Sequence, residues 1–192
     1  YMKVDVMKKV YRHLQARIEE NSSDQTLERM KDIGEIPCIV IDLGRTFVKP
    51  KQVVINLYEE DQIVPYLFKA PTELGEFKTL FIHLGASVNV TANQYAAVLE
   101  SLFRETRGEK LHPNELRLAF KAVAGLFKVL QRKNDEPIDV PLYLPSSLGK
   151  LVPSCDLVYN DDPSYSERIQ HFPRPFLVHL SVGERYTAHG HG

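Results

Sequence analysis

The chain has 192 residues, of which 43% are hydrophobic and 26% are charged, and its formal net charge is -1. These values are typical of a soluble globular protein, and the length is enough for one fairly large domain or two small ones. Charges of both signs are spread along the chain without a basic face, so nucleic acid is not an expected partner. No apolar run approaches the ~20 residues that a membrane-spanning helix needs, so we expect no membrane span.

Cysteine content and the two ends of the chain bear on where the protein works. Two cysteines, Cys38 and Cys155, are too few for a secreted disulfide scaffold, and we expect both to be reduced structural thiols in a cytoplasmic protein. The N-terminus has no apolar core typical of a signal peptide. It enters a helical pattern at once, which indicates a piece of a longer polypeptide. Residues 183–192 are expected to be a disordered or cloning-derived tail.

Residues 1–33 are predicted to form two leading helices. In the first, apolar residues recur at spacings of three and four, which places them on one face of a helix of about five turns. Docking of that face on a core is favoured over a membrane-surface helix. Ser23 or Asp24 can cap a shorter second helix, which Gly34 ends. The apolar face of the first helix consists of Val4, Met7, Tyr11, Leu14 and Ile18.

A β-hairpin is predicted over residues 36–56. Its first arm, residues 38–41, is continuously apolar, and Gly44 supplies a turn residue free to adopt positive φ. Pro50 cannot donate a ladder hydrogen bond, so it is expected at an edge or a bulge. The second arm is predicted to resume at residues 53–55.

Residues 140–160 repeat this hairpin pattern. Aligning Phe47 with Leu151 also aligns Asn56 with Asn160, at an offset of 104 positions. The second hairpin is predicted to turn near Gly149. The sequence therefore predicts one hairpin that occurs twice, with helices between the copies.

The helical middle is predicted over residues 71–133. A dense apolar stripe that includes Phe77 and Phe81 runs up to Gly85, and Thr91 with Gln94 forms a capping box for the next helix. Pro113 stands in the first turn of the longest helix. Gly125 inside that helix costs about 1 kcal/mol relative to alanine, and a close approach between helices would explain it. The predicted fold is α+β: residues 34–182 form a module in which both hairpins feed one mixed or antiparallel sheet packed against these helices.

Known catalytic and metal-binding motifs are missing from the sequence. The sequence has neither the Gly-x-Ser-x-Gly motif of serine hydrolases nor a Walker loop. None of the histidines between residues 13 and 179 is paired at the spacing that zinc helices use, and His189 and His191 lie in the predicted tail. The acidic residues 59–61 are expected to be a solvated loop. We therefore predict no catalytic residue, no cofactor and no metal site.

The turn at Asp42-Leu43-Gly44-Arg45-Thr46 nearly spells the Asp-x-Gly-x-Gly adenine-binding loop of Hsp90-type ATPases, but Thr46 replaces the final glycine, and the turn is favoured. One alternative stays open: a small-molecule or nucleotide-handling domain that uses Asp42, Arg45 or the pair Asp161 and Asp162, with its site completed by another chain or domain. Another alternative is self-association through an exposed hairpin edge. The lysines and proline at residues 49–51 would disfavour strand pairing at one edge.

Four segments, in this order and spacing, resemble the internal repeats of the sacsin family: residues 47–54, 71–85, 91–99 and 142–160. The resemblance implies that each repeat begins with an Hsp90-like ATPase domain and that this piece lies downstream of one. No active-site residue of the family maps onto the chain. The motif residues are expected to be structural: Gly44, Phe47, Pro50, Phe77, Phe81, Gly149 and Asn160.

The same resemblance implies a very large cytoplasmic co-chaperone that acts as a scaffold in neurons and affects intermediate filaments and mitochondria. A ubiquitin-like domain, a J domain that engages Hsp70 and a nucleotide-binding C-terminal domain would lie outside this chain. The expected partners are other domains of the same chain, and client proteins and Hsp70 through the parent protein. Our first hypothesis is therefore a non-catalytic structural module.

Overall fold

The computed structural model describes residues 2–20, 24–132 and 137–157. The chain divides into two compact units, Tyr1–Val90 and Thr91–Gly192. The helices are α1 (Met2–Glu20), α2 (Asp24–Gly34), α3 (Lys78–His83), α4 (Ala92–Thr106) and α5 (Pro113–Arg132). The strands are β1 (Ile39–Ile41), β2 (Thr46–Val48), β3 (Val53–Val54), β4 (Phe68–Lys69), β5 (Tyr143–Pro145) and β6 (Leu151–Pro153).

The α+β class and the two antiparallel hairpins are confirmed, but the hairpins do not feed one sheet. In the described part of the chain, β1 pairs with β2, β3 pairs in parallel with β4, and β5 pairs with β6, each as a separate two-stranded sheet. The predicted continuation of the first hairpin to residue 55 is wrong. Pro50 begins a 3₁₀ turn, Pro50–Gln52, because its fixed φ suits that position and it cannot continue the ladder of β2. The chain therefore leaves the hairpin, and β3 pairs elsewhere.

Strand β3 lies at the centre of the first unit. Val53 and Val54 are fully buried. On one side β3 pairs with β4, and on the other the Ser87 N–H donates to the Val53 carbonyl at 3.2 Å. The Ile55 N–H donates back to the Ser87 carbonyl at 2.9 Å. A strand of two residues is thus held from both sides.

The turn of the first hairpin depends on two residues with positive φ. Strand register places Ile41 opposite Thr46, and a 3₁₀ turn over Asp42–Gly44 joins the two strands. Gly44 has φ 93°, as predicted for the turn glycine, and Asp42 has φ 50°. Aspartate is among the few non-glycine residues that adopt the left-handed region readily, because its short polar side chain can bond locally.

Replacing Gly44 by valine is expected to lower the free energy of unfolding of the first unit by about 2 kcal/mol, because a β-branched side chain is strained at positive φ. Thermal unfolding followed by circular dichroism measures the change. Gly44→Asn is the matched control and should lose less, since asparagine tolerates the left-handed region. A melting temperature that valine leaves unchanged would contradict the hairpin turn.

Helix ends in the second unit follow the sequence signals. The Gln94 N–H donates to Thr91 Oγ1 at 3.2 Å, and the Thr91 N–H donates to Gln94 Oε1 at 3.1 Å, which is the predicted capping box. Pro113 is the first residue of α5. A Cβ at Gly125 would lie 2.2 Å from Cζ of Tyr95, which belongs to α4. The predicted close approach at this glycine is confirmed.

The first unit contains less α-helix after Pro71 than the apolar stripe predicts. Residues Thr72–Phe77 form a 3₁₀ segment, and only Lys78–His83 are α-helical before the chain turns at Gly85, where φ is 106°. The two leading helices are present, and α2 ends at Gly34 as expected. None of the helices in the described ranges is both long and apolar enough to cross a membrane.

The second hairpin repeats the first in detail. Strands β1 and β5 lie 104 positions apart, and so do the 3₁₀ turns Pro50–Gln52 and Ser154–Asp156. The turn between β5 and β6 is one residue longer than its counterpart, and the spacer after β6 is correspondingly shorter. Gly149 has φ 71° in this turn, as its predicted role requires. Asn160, the last residue of the predicted repeat, lies outside the described residues.

Candidate functional site

Three aromatic rings form the centre of the first unit beside its hairpin. The Tyr11 ring lies 5.3 Å from the Phe77 ring and 5.3 Å from the Phe81 ring, and all three side chains are buried. The Tyr11 and Phe81 rings meet edge to face, at an interplanar angle of 87°. Such pairs stabilise a core beyond their buried area. Phe77 and Phe81 are therefore core residues of the first unit.

The hydroxyl of Tyr11 completes the open edge of β1. It donates to the Cys38 carbonyl at 2.8 Å and accepts from the Val40 N–H at 3.0 Å. Strand β1 pairs with β2 on its other side. The hydroxyl thus satisfies two backbone groups that an adjacent strand would otherwise bind. The sequence predicts Tyr11 on the apolar face of α1 but does not identify its hydrogen bonds to β1. The signal for them is that a tyrosine within a core stripe needs a hydrogen-bond partner for its hydroxyl.

Burial changes the ionisation of two groups in this region. It raises the pKa of Tyr11 to about 12, and hydrogen bonding from the Val40 N–H opposes this only in part. Burial also raises the pKa of the Cys38 thiol to about 11. Both groups are therefore neutral near pH 7, and Cys38 is a poor nucleophile because the thiolate is the reactive form. Cys38 is half-buried, whereas Cys155 is exposed, so the structural environment expected of both thiols is found only at Cys38.

A cleft of about 810 Å³ opens in the first unit between α1, the first hairpin and the segment around β4. This volume is within the range of small-molecule and cofactor sites. Its floor is formed by apolar side chains that are themselves buried. They are Val40, Ile41, Phe68, Ala70 and Leu74.

The rim of the cleft carries charges of both signs. Asp5 and Lys8 come from α1, Asp42 from the hairpin turn, and Glu59, Lys69 and Glu73 from the later segment. The Lys69 ammonium lies 3.2 Å from a Glu59 carboxylate oxygen. Gln62 also contacts Glu59, and its side-chain carbonyl accepts from the Lys69 N–H at 3.1 Å. The wall near β4 is thus a connected polar network.

The residues of the alternative enzymatic hypothesis do not all meet in this cleft. Asp42 lines it, whereas Arg45 is not among its lining residues, and both are exposed. Asp161 and Asp162 lie outside the described residues. In the described ranges no group of three or more histidine, cysteine or acidic side chains is arranged to hold a metal ion.

The remaining motif residues have unlike environments. Pro50 is buried at the start of its 3₁₀ turn. Phe47 is 39% exposed on β2, opposite Val40. Gly149 is buried in the second hairpin turn, where the Leu111 N–H donates to its carbonyl at 2.9 Å. Sequence reasoning did not find the cleft, because its charged residues come from segments far apart in the chain.

Comparison with known proteins relates the chain to one very long polypeptide. Human sacsin is 41% identical to it over 162 residues, an alignment that covers 80% of this chain. This chain is a sacsin-related region. It spans about 4% of the length of that relative. No protein-family model matches the chain, and no solved structure matches it. The resemblance to the sacsin family that the sequence motifs indicate is confirmed.

Proposed function

We propose that this sacsin-related region is a non-catalytic structural module of a very large co-chaperone and scaffold protein. The observation that carries the proposal is the repeated hairpin and 3₁₀ turn, one copy in each compact unit, at a constant offset of 104 positions for β1 with β5 and for the two turns. A repeated rigid element with a packed interior is suited to fixing the positions of neighbouring domains.

The packing within each unit supports this role. In the first unit, Tyr11 joins α1 to β1 through a side chain that is 1% exposed. In the second, the rings of Phe103 on α4 and Tyr143 on β5 stack with centroids 4.1 Å apart. Each hairpin is therefore anchored to a helix of its own unit. Such contacts resist deformation, because close-packed protein interiors have low compressibility.

The wider role of the module follows from its relationship to sacsin and belongs to the same proposal. The parent protein would act in protein folding and quality control and in the organisation of intermediate filaments in the cytoplasm. Its partners would be other domains of the same chain, client proteins, and Hsp70 bound by the parent protein. Comparing client aggregation in the presence of this chain and of a longer piece that includes the upstream sequence tests this role. Equal suppression by both would locate the activity in this region, whereas suppression only by the longer piece is expected of a structural module.

We expect the isolated chain to hydrolyse no ATP above background, since its described acidic residues form no assembled catalytic set. Phosphate release measured over several hours at pH 7 checks this. Asp42 lines the cleft and is the residue that favours the alternative, a nucleotide-handling domain. Turnover that disappears in Asp42→Asn but persists in the matched control Glu28→Gln, at an exposed position on α2, would overturn the non-catalytic assignment.

A further inference from the structure

We propose that the cleft of the first unit binds a peptide segment in which apolar residues are flanked by lysine or arginine. This binding activity goes beyond the structural role proposed above, and neither depends on the other. A chain that fails to bind such a peptide can still be a rigid module.

The floor of the cleft selects apolar side chains. Its base is formed by residues that are at most 9% exposed: Val40, Ile41, Phe68, Ala70 and Leu74. The apolar surface that a ligand can reach lies beside this base: Val64 is 58% exposed, Pro65 is exposed, and Val4 and Pro71 are half-buried. Removing apolar ligand surface from water against this lining favours binding, and the costs of association oppose it. The volume of about 810 Å³ accommodates several side chains, not one alone.

Charges on the rim decide which apolar ligand fits. Of the two amines on the rim, Lys69 pairs with Glu59 at 3.2 Å. Lys8 lies 4.0 Å from Glu76 and shares that carboxylate with Arg12, which lies 3.6 Å from it. Three rim carboxylates, on Asp5, Asp42 and Glu73, form no ion pair within the described ranges. They surround the floor from three separate segments. The uncompensated charge of the rim is therefore negative.

An acidic rim around an apolar floor is complementary to a cationic amphipathic ligand. Complementary charge steers the encounter and disfavours ligands of the wrong sign. An acidic peptide and an anionic membrane surface are both repelled by Asp5, Asp42 and Glu73. The occupant we assign is a polypeptide segment, because an apolar stretch bordered by basic side chains supplies both required features in one ligand.

The test uses the full chain and a defined probe, the peptide fluorescein-Lys-Lys-Leu-Ile-Val-Leu-Lys-Lys-amide. Fluorescence anisotropy should show saturable binding that weakens with added salt, as expected for charge-assisted association. The same peptide with glutamate in place of lysine should bind at least about tenfold more weakly. A peptide with serine in place of the four apolar residues should also lose affinity.

Rim variants locate the binding. The double variant Asp42→Asn with Glu73→Gln should weaken binding about fivefold, because two charges near the ligand are removed. The matched control, Glu20→Gln with Glu28→Gln, makes the same change in net charge at exposed helix positions and should leave the affinity within about twofold. Both variants alter exposed side chains, so folding should be preserved.

Several results would overturn the proposal. They are absence of binding, equal affinity for the lysine and glutamate peptides, and equal effects of the rim and control variants. Sedimentation of the chain as a dimer that the rim variant dissociates would assign the cleft to a second copy instead. Any of these outcomes leaves the structural role intact, since that role is measured by the rigidity of the two units.

Discussion

Replacing Gly34 by alanine is expected to destabilise the first unit by about 3 kcal/mol, a large effect for the addition of one methyl group. The new Cβ would lie 2.0 Å from the Leu84 carbonyl oxygen and 3.0 Å from its carbonyl carbon. These are backbone atoms at the end of α3, so α2 and α3 must separate to admit the methyl group. Glycine-to-alanine changes in helices normally stabilise by up to about 1 kcal/mol, so the sign of the effect is itself informative.

Chemical denaturation followed by circular dichroism, together with hydrogen exchange resolved by unit, measures this effect. Gly75→Ala is the matched control: the nearest atom to its Cβ would be Lys78 Cε at 3.9 Å, so the free energy of unfolding should change by no more than about 0.5 kcal/mol. Equal stability of the Gly34 and Gly75 variants would show that α2 and α3 do not meet at this point.

Replacing Tyr11 by phenylalanine is expected to cost about 3 kcal/mol, although only one oxygen atom is removed. The Cys38 carbonyl and the Val40 N–H would both lose the partner that they have at 2.8 Å and 3.0 Å. Each buried polar group left without a partner costs about 1–3 kcal/mol. The ring contacts with Phe77 and Phe81 are retained, so the effect isolates the hydroxyl.

Tyr58→Phe is the control for this change, because Tyr58 is 70% exposed and its loss of a hydroxyl should be nearly neutral. Hydrogen exchange of the Val40 amide gives a second readout, which should accelerate only in the Tyr11 variant. If the two phenylalanine variants unfold at the same denaturant concentration, the hydroxyl does not hold the edge of β1.

Alkaline pH should weaken the first unit through the same tyrosine. The pKa of Tyr11 is raised to about 12 by burial, against the ordinary value of 10.0. The unfolded chain therefore loses this proton first, and stability falls as pH rises from 10 toward 12. The raised pKa of Cys38 acts in the same direction from lower pH. Cys38 is present in both wild type and Tyr11→Phe, so its effect is common to the two proteins. The difference between their free energies of unfolding should therefore shrink as pH rises over this range. A difference that stays constant would contradict the raised pKa of Tyr11.

Local signals in the sequence were enough to predict both turns and four of the helices, but not the 3₁₀ segment Thr72–Phe77 that precedes α3. The Thr91 capping box, Pro113 at the start of α5 and positive φ at Gly44 all depend on residues within one turn of each other. Periodicity likewise predicts the apolar face of α1, because a helix shows its buried side in its own spacing. The prediction at Gly125 was partly correct: a glycine inside a helix indicated a close neighbour, but the sequence did not identify that neighbour as Tyr95.

Features that depend on distant contacts could not be predicted. Strand β3 has two residues, too few for an alternation pattern. Its partner β4 lies further along the chain, with Phe68 opposite Val53, and no local signal in the sequence indicates this pairing. The predicted single sheet failed for this reason, together with the break at Pro50. Gly34 signalled a helix end, but nothing near it in sequence indicates Leu84, whose carbonyl excludes a side chain there.

The cleft illustrates the same limit at the level of function. Three of its carboxylates form no ion pair in the part of the chain that the structure describes: Asp5, Asp42 and Glu73. They belong to a helix, a turn and a 3₁₀ segment, and each is an ordinary surface acid in its own surroundings. Only the fold places them around one apolar floor. A sequence motif would reveal such a site if the charged residues shared one element, as metal-binding helices do.

Amide hydrogen exchange of the intact chain at neutral pH, without nucleotide or partner, tests the central claim that both hairpins are preformed rigid elements. Protection should be strong at Cys38 and Val40 in the first copy and at Ser146 and Ser154 in the second, whose N–H groups donate to Val48, Tyr11, Lys150 and Leu142 respectively. Exchange of either set at the rate of an unstructured peptide would contradict the account.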